Sequence, residues 1–371
     1  MEKRYKVIIS GGGTGGHIFP AISIANALKT INPGIEILFV GAIGKMEMEK
    51  VPAAGYKIEG LPIAGLKRSF SPENLLLPFK IFKSIKMASR IIKKFKPNVI
   101  VGVGGFASAP LLWSARVKGI PYLIQEQNSY AGLTNKFLGN GASKICVAFE
   151  GMEKFFPKNK ILLTGNPIRE DILNVKTISR EEAIKSFGLD LNKKTILVTG
   201  GSLGSRTLNN CVKKWIENYK DSGVQLIWQY GKIYKSEMES FLEAYNDFPV
   251  HGCEFISAMN MAFAAADVVI TRAGAGTISE LAVAGKAVIF VPSPNVAEDH
   301  QTHNAMSLAN KGAALIVPDN EADEKLMSKA LRLLNNSDLI NKLEQKIITT
   351  AKPHASAQIA KEVIKLIEKN G

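Results

Sequence analysis

The chain has 371 residues, of which 46% are apolar and 22% are charged, and its formal net charge is +14. This length suggests two domains with full cores, and the apolar fraction excludes a disordered or fibrous chain. Residues 1–165 carry 23 Lys and Arg against 9 Asp and Glu, so the positive excess lies in the first half. That asymmetry indicates an anionic partner: nucleic acid, a membrane surface or a phosphorylated substrate.

The cysteines and the hydropathy pattern indicate in which cellular compartment the protein is expected. Cys146, Cys211 and Cys253 are far apart and form no CxxC pair, so neither a disulfide framework nor a zinc ribbon is expected. No run of about 18 apolar residues is present, so no helix is expected to cross a membrane. The apolar run near the N-terminus is also too short for a signal peptide. We therefore expect a protein of the reducing cytoplasm with at most a peripheral membrane contact.

Short β-branched runs alternate with helical patterns along the chain. The first half predicts helices at 20–30 and 73–95 among strands at 5–10, 35–41, 99–103, 122–125, 144–148 and 161–164. A second series follows, with strands at 194–199, 224–230, 250–255, 268–271, 287–291 and 314–317. This alternation is typical of α/β proteins with doubly wound parallel sheets. It predicts two Rossmann-like domains, 1–165 and 166–371, facing across a ligand cleft, with the option that the last helix returns to the first domain.

Three glycine-rich loops follow predicted strands, at 11–16, 102–110 and 200–206. Such loops let backbone N–H groups approach a phosphate at the start of a helix. A dinucleotide site would also need an acidic residue at the end of the second strand, and residues 39–42 contain none. No Walker A sequence is present either. Three loops at strand ends therefore favour polyphosphate recognition over a nicotinamide cofactor or a set of merely structural turns.

Two candidate catalytic groups follow strands of the first half. His17 comes directly after the first glycine loop, where the positive end of a helix favours the neutral imidazole that a general base needs. The alternative is a histidine that only caps the turn. Glu126 lies in the polar run 125–128 after a strand, and a functional site and ordinary loop polarity explain that run equally well.

The second half offers groups suited to a nucleotide sugar. Residues 272–280 combine glycines and Thr277 at the start of a helix, which would receive an anion. Glu280 could accept two hydrogen bonds from a ribose diol, or could merely stabilise the helix start. Gln301 and Asn304 share one helix face, where amides suit sugar hydroxyls. No Asp-x-Asp pair and no third ligand beside the nearby histidines is found, so we expect no metal site.

A basic, amphipathic stretch covers residues 66–96. It contains nine Lys and Arg against the single acid Glu73, and apolar residues recur at helical spacing. Most of these apolar residues are expected in the core, with the lysines on a solvated face. The run 75–79 is too apolar for one buried stripe, so we predict that part of it contacts an anionic membrane surface.

Taken together and in order, these segments closely resemble the MurG glycosyltransferases of bacterial peptidoglycan synthesis. The matching segments are 12–20, 104–110, 126–128, 164–169, 200–206, 272–280 and 299–305, so the resemblance covers essentially the whole chain. This sequence departs from the family at Phe106 and Gln125, where Tyr and His are frequent.

The resemblance implies a GT-B fold and an inverting transfer of GlcNAc that uses no metal and no cofactor. UDP-GlcNAc would be the donor, and the MurNAc C4 hydroxyl of lipid I, the undecaprenyl-diphosphate-linked MurNAc-pentapeptide, would be the acceptor. The second domain would bind the donor through Arg169, Ser202, Ile256, Ala275, Gly276, Thr277, Ile278, Ser279, Glu280 and Gln301. The first domain would meet the acceptor through Thr14, Gly15, Gly16 and Asn128, with either His17 or Glu126 as the base.

The resemblance also implies a peripheral location on the cytoplasmic face of the bacterial inner membrane. Anionic lipid would be a partner, nucleic acid would not, and other cell-wall synthesis proteins are candidate partners. Rival interpretations are another GT-B enzyme, such as a glycolipid synthase or a UDP-GlcNAc 2-epimerase, and a non-enzymatic basic protein that binds nucleic acid or membrane. An NAD oxidoreductase is disfavoured by the missing ribose acid.

Overall fold

The computed structural model describes residues 5–63, 77–218 and 223–370. The chain divides into two compact units. Unit 1 combines Met1–Ile168 with Lys352–Gly371, and unit 2 is the continuous stretch Arg169–Ala351. Each unit is built on one parallel sheet, as the alternating strand and helix patterns predicted.

Within the described residues, the sheet of unit 1 has seven parallel strands in the order β3-β2-β1-β4-β5-β6-β7. The strands are β1 Lys6–Ser10, β2 Glu36–Ala42, β3 Lys57–Leu61, β4 Val99–Gly102, β5 Tyr122–Glu126, β6 Lys144–Val147 and β7 Ile161–Leu163. The first helices of the unit are α1 Gly15–Ile31, α2 Glu47–Ala53, α3 Leu77–Phe95, α4 Ala109–Val117 and α5 Leu133–Gly139. Residues 73–76, which begin the helix predicted for 73–95, lie outside the described residues.

In the described part of unit 2, six strands form a parallel sheet in the order β10-β9-β8-β11-β12-β13. Its strands are β8 Lys194–Thr199, β9 Val224–Gln229, β10 Val250–Cys253, β11 Val268–Thr271, β12 Val288–Phe290 and β13 Leu315–Ile316. Its helices are α6 Glu170–Leu173, α7 Arg180–Ser186, α8 Arg206–Asn218, α9 Lys235–Ala244, α10 Met259–Ala265, α11 Ala275–Ala284, α12 His300–Ala309, α13 Ala322–Leu334 and α14 Ser337–Ile348. The strands predicted at 194–199 and 268–271 are confirmed residue for residue.

The last helix, α15 Ala355–Asn370, belongs to unit 1 and packs on α1. Successive residues of a strand face opposite sides of the sheet, so the unit has two apolar layers. Ile8 of β1 joins the layer that includes residues of α3, α4 and α5. Val7 and Ile9 join the other layer, which includes residues of α1 and α15. Strands buried on both faces explain the nearly continuous apolar runs of the sequence.

The registers bring the loops of each unit to one edge of its sheet. Ser10 at the end of β1 pairs with Gly102 of β4, and Gly102 pairs with Ile124 of β5. In unit 2, Thr199 of β8 pairs with Thr271 of β11. Because all strands of a sheet run the same way, the loops that follow them share its carboxyl edge, where ligands of open α/β sheets bind.

Candidate functional site

The first two glycine loops of unit 1 are in direct contact. They follow β1 and β4, which are neighbours in the sheet. At Gly105, which has φ +76°, an added Cβ would lie 2.5 Å from the carbonyl oxygen of Gly12. A side chain at this position would therefore force the loops apart, and glycine allows the backbone of one loop to rest on the other.

His17 lies in the first turn of α1, at the junction of these loops. Its Nδ1 is 3.2 Å from the hydroxyl of Thr14, the residue that precedes the helix. The other side of the ring lies against Gly104, where an added Cβ would be 3.0 Å from Nε2. Gly15 and Gly16 precede His17 in the helix, and N–H groups of a first turn have no acceptor inside the helix. The loop thus places an imidazole beside backbone donors able to face an anion.

Glu126, the last residue of β5, is buried and its carboxylate is occupied by the loop that follows. Oε1 accepts a hydrogen bond from the Asn128 backbone N–H at 3.0 Å. Oε2 accepts from the Gly132 N–H at 3.0 Å and from the Asn135 side chain at 2.8 Å. Burial raises the pKa of Glu126, and these three donors oppose that rise. The carboxylate therefore shapes the segment that carries Asn128.

Buried amides surround this strand end, and sequence analysis gave them no structural role. Gln125 donates to Asn166 Oδ1 at 3.0 Å, and Asn166 donates to the Gln127 carbonyl at 3.1 Å. Gln127 donates to the Val103 carbonyl at 2.7 Å. The network ties the end of β5 to the second glycine loop and to the segment after β7. Only the three-dimensional pairing identifies these amides, since glutamine and asparagine are also common in exposed loops.

Besides these amides, sequence analysis missed the carboxylate of Glu47, the first residue of α2. Its buried carboxylate accepts hydrogen bonds from the backbone N–H groups of Gly13 and Ala42, each at 3.0 Å. The local sequence Lys-Met-Glu-Met-Glu-Lys at 45–50 is typical of a solvated helix start, so it contains no signal for this contact.

In unit 2, α11 follows β11 and begins immediately after Gly274. Its first turn contains Ala275, Gly276 and Thr277. The backbone N–H groups at the start of a helix point toward an anion placed there. One turn on, the Glu280 carboxylate accepts from Arg169 Nε at 3.0 Å. Burial raises the pKa of Glu280, while the positive charge of Arg169 opposes this rise. The remaining predicted residues of this helix, Ile278 and Ser279, are buried or used internally: Ser279 donates to the Ala275 carbonyl at 2.9 Å.

The side-chain amide of Gln301, in α12, is oriented by hydrogen bonds to its oxygen. Its Oε1 accepts from the backbone N–H groups of Ala273 at 3.2 Å and Ser293 at 2.9 Å. The amide nitrogen is therefore the end that can donate to a ligand. Asn304 lies one turn on, but it is completely buried and donates to the Ala273 carbonyl at 3.3 Å. Its side chain thus braces the loop after β11, and the assignment of Asn304 to a sugar hydroxyl stays a prediction.

Two further predicted residues lie at the same edge of this sheet. Ser202 is exposed in the third glycine loop. The side chain of Ile256 is buried after β10, so only its backbone can meet a ligand. Arg272 donates to Ser205 Oγ at 2.6 Å and to the Val291 carbonyl at 3.0 Å, and so fixes the third loop against the loop after β12.

Known proteins resemble the chain over its whole length. The N-terminal domain of glycosyltransferase family 28 matches residues 7–147, and the C-terminal domain of that family matches residues 195–363. A relative from Phocaeicola vulgatus is 55% identical and covers 100% of this chain and 98% of its own length. A relative from Parabacteroides distasonis is 52% identical, with 99% and 100% covered. Both are named UDP-N-acetylglucosamine–N-acetylmuramyl-(pentapeptide) pyrophosphoryl-undecaprenol N-acetylglucosamine transferase.

Solved structures agree with these relatives. The crystal structure of Acinetobacter baumannii MurG matches with a TM-score of 0.78 at 30% identity, covering 97% of this chain and 99% of that one. A Neisseria meningitidis UDP-GlcNAc 2-epimerase bound to UDP-GlcNAc matches at 15% identity with a TM-score of 0.66, which shows a shared fold alone. The predicted GT-B class is thereby confirmed, and the interpretations as an NAD oxidoreductase or a non-enzymatic binder are not supported. The chain belongs to the MurG family of glycosyltransferases, within glycosyltransferase family 28.

Proposed function

We propose that this protein transfers GlcNAc from UDP-GlcNAc to the MurNAc C4 hydroxyl of lipid I and so forms lipid II in peptidoglycan synthesis. The observation that carries the proposal is the 55% identity over the whole chain to a transferase whose name states this donor and this acceptor. The two sets of anion-receiving loops support it, because both substrates contain a diphosphate.

Unit 2 binds the donor in this proposal. The first turn of α11 and the exposed loop at Ser202 receive the diphosphate, and the positive helix end stabilises the charge that develops as UDP leaves. Glu280, oriented by Arg169, accepts hydrogen bonds from the ribose hydroxyls. The amide nitrogen of Gln301 donates to a GlcNAc hydroxyl, and the backbone at Ile256 contacts the uracil.

Unit 1 binds the acceptor and supplies the base. Backbone N–H groups at Thr14, Gly15 and Gly16 face the lipid diphosphate, together with Asn128. His17 takes the proton of the C4 hydroxyl as that oxygen attacks the anomeric carbon; the bond from this carbon to UDP breaks, and the configuration inverts. We assign the base to His17 because the Glu126 carboxylate already accepts three hydrogen bonds from its own loop. Glu126 then orients Asn128.

The same unit carries a surface suited to a membrane. Helix α4 packs on both α3 and α5, and Trp113 of α4 stacks on Phe137 of α5 with ring centroids 5.7 Å apart. The apolar patch comprises Phe79 at 68% exposure, Phe82 at 67%, Trp113 at 36%, Leu133 at 70% and Phe137 at 66%. No helix among the described residues is both long and apolar enough to span a bilayer.

Basic residues accompany the apolar patch on α3. Lys83, Lys86 and Arg90 are exposed on this helix, whereas Ile91 and Ile92 are buried in the core. Of the run 75–79, part of which is predicted to contact the membrane, Leu75 and Leu76 lie outside the described residues. We propose that the patch and its lysines dock the protein on the anionic cytoplasmic leaflet, where lipid I presents its sugar.

The deciding experiment measures UDP release from UDP-GlcNAc with and without a lipid I analogue, together with the mass of the product. The proposal expects UDP release that depends on the acceptor and a product heavier by one GlcNAc. Release without acceptor, or conversion of the donor to its 2-epimer, would instead favour an epimerase. A glycolipid synthase would release UDP with a diacylglycerol acceptor but not with lipid I.

A further inference from the structure

A carboxylate is buried beneath the first glycine loop. Glu47 is the first residue of α2 and is completely buried. Its Oε2 accepts from the Gly13 N–H at 3.0 Å, in the loop after β1. Its Oε1 accepts from the Ala42 N–H at 3.0 Å, at the end of β2. One side chain thus uses both of its oxygens to join the loop to the end of a neighbouring strand.

Two neighbouring glycines make room for this carboxylate. A Cβ on Gly12 would overlap the Glu47 carboxylate, and a Cβ on Gly41 would lie 2.5 Å from Glu47 Cγ. Glycine at both positions gives the side chain its space. The loop also passes through φ +90° at Gly13. Glycine adopts this conformation as readily as others, so the hydrogen bond from its N–H to Glu47 helps to select it.

Filling space does not by itself explain a carboxyl group here. An apolar side chain could occupy the same volume, but it would leave the N–H groups of Gly13 and Ala42 without this acceptor. The carboxylate also fixes the orientation of the Gly13 N–H, one residue before Thr14, the N-cap of α1. The position of Gly13 in turn sets the course of the backbone into the first turn of α1, which contains His17.

We propose that Glu47 is a positioning residue for the acceptor side of the reaction. It holds the first glycine loop so that the N–H groups at Gly15 and Gly16 and the His17 ring are already oriented when the acceptor arrives. Preorganised donors stabilise developing charge without rearranging, and a displacement of about 1 Å can lower turnover roughly a hundredfold. The inference rests on the proposed function, because it assigns the acceptor to unit 1.

The test compares Glu47→Gln with the matched control Glu49→Gln on the same helix. Glu49 is exposed and pairs only with Lys50 among its described contacts. In Glu47→Gln an amide N–H₂ replaces one oxygen and opposes a backbone N–H. We expect kcat/KM for the lipid I analogue to fall roughly ten- to a hundredfold, with the donor KM within about twofold of wild type and Glu49→Gln unchanged. A purely structural role would lower the melting temperature and leave turnover per folded molecule unchanged.

A second measurement does not depend on enzyme activity: the rate of amide hydrogen exchange in peptides that cover residues 11–18. Faster exchange in Glu47→Gln, confined to this loop and the end of β2, supports the proposal, and unchanged exchange overturns it. If wild type does not use lipid I, the proposed function fails while this measurement still decides whether Glu47 holds the loop. Should Glu47→Gln not fold, Gly41→Ala displaces the same side chain and is expected to reproduce both effects; wild-type turnover and exchange in that variant would also overturn the proposal.

Discussion

Arg169 and Glu280 form an ion pair although 111 residues separate them in the chain: Nε lies 3.0 Å from Oε1 and Nη2 lies 3.5 Å from Oε2. Arg169 opens unit 2, and Glu280 lies one turn inside α11. The Glu280 side chain is only 15% exposed, so removing its partner would leave a carboxylate both poorly hydrated and unpaired. The pair gives the proposed ribose acceptor one defined orientation.

Removing the carboxylate is therefore expected to weaken donor binding. Glu280→Gln should raise the Kd for UDP-GlcNAc roughly ten- to a hundredfold, because hydrogen bonds to a charged group contribute about 1.5–3 kcal/mol. Arg169→Ala should weaken binding in the same direction. Isothermal titration measures both, with Glu181→Gln, which breaks the exposed pair to Lys185, as a control that keeps wild-type affinity. Wild-type affinity in Glu280→Gln would contradict a ribose contact.

Substitution of the proposed base should separate chemistry from binding. His17→Ala is expected to lower kcat by a factor of roughly a hundred to ten thousand, the usual contribution of a general base. The Kd for UDP-GlcNAc should stay within about twofold, because the donor residues belong to unit 2. His354→Ala, which changes an exposed histidine of unit 1, provides the control. Turnover like that of wild type in His17→Ala would remove this residue from the mechanism.

Glu126→Gln should primarily affect stability. Three donors face the carboxylate, and an amide would oppose at least one of them. An unsatisfied buried donor costs about 1–3 kcal/mol, which lowers the melting temperature by roughly 3–10 °C in a unit of this size. Thermal unfolding measures the shift. If Glu126→Gln instead kept its stability and lost turnover to the extent of His17→Ala, Glu126 would be the base.

The same variant should alter the pH dependence of stability. Burial raises the pKa of Glu126, so the folded chain holds this proton more tightly than the unfolded chain does. Ionisation therefore destabilises the fold as pH rises from the ordinary glutamate range through the raised folded pKa, and the loss is complete above it. Glutamine has no such proton. The stability advantage of wild type over Glu126→Gln should narrow as the pH rises above the ordinary glutamate range of about 4, as denaturant unfolding would show; a constant difference would contradict the shift.

The apolar patch should govern binding to anionic vesicles. Phe82→Ser combined with Phe137→Ser should lower the partition coefficient to phosphatidylglycerol vesicles roughly a hundredfold or more, since burying each such side chain contributes about 1.5–3 kcal/mol. Flotation should also show weaker binding to neutral lipid and at high salt. Ile31→Ser, at an exposed position outside the patch, serves as the control. Equal partitioning into charged and neutral vesicles would contradict the electrostatic part of the proposal.

Strand identity was predictable where burial dictated composition. Ile196, Leu197 and Val198 lie in a strand buried on both faces, and a continuous apolar run marks such strands. Strand β3 was missed because it is the half-exposed edge of its sheet and includes Lys57, Glu59 and Gly60. Only its pairing with β2, and not its composition, identifies this segment as a strand.

Site residues were predictable where a glycine loop forces the position, and unpredictable where a side chain acts over distance. His17 adjoins such a loop, so its place at the start of α1 followed from local sequence. Glu47 reaches its partner Gly13 only through the fold, and no local pattern separates it from the exposed Glu49. Asn304 shows the same limit: its helix face was predicted, but its contact with the loop after β11 was not.

The return of α15 to unit 1 has a consequence for biosynthesis. The sheet face that includes Val7 and Ile9 shares its apolar layer with Ile359 and Val363, which are synthesised only after the whole of unit 2. Unit 2 is continuous in sequence and can complete its core while translation proceeds. The strands of unit 1 precede unit 2 in the chain, but that face is covered only once α15 has been synthesised after unit 2. Unit 1 therefore completes its fold after unit 2, and a chain truncated before α15 would leave an apolar face open to aggregation.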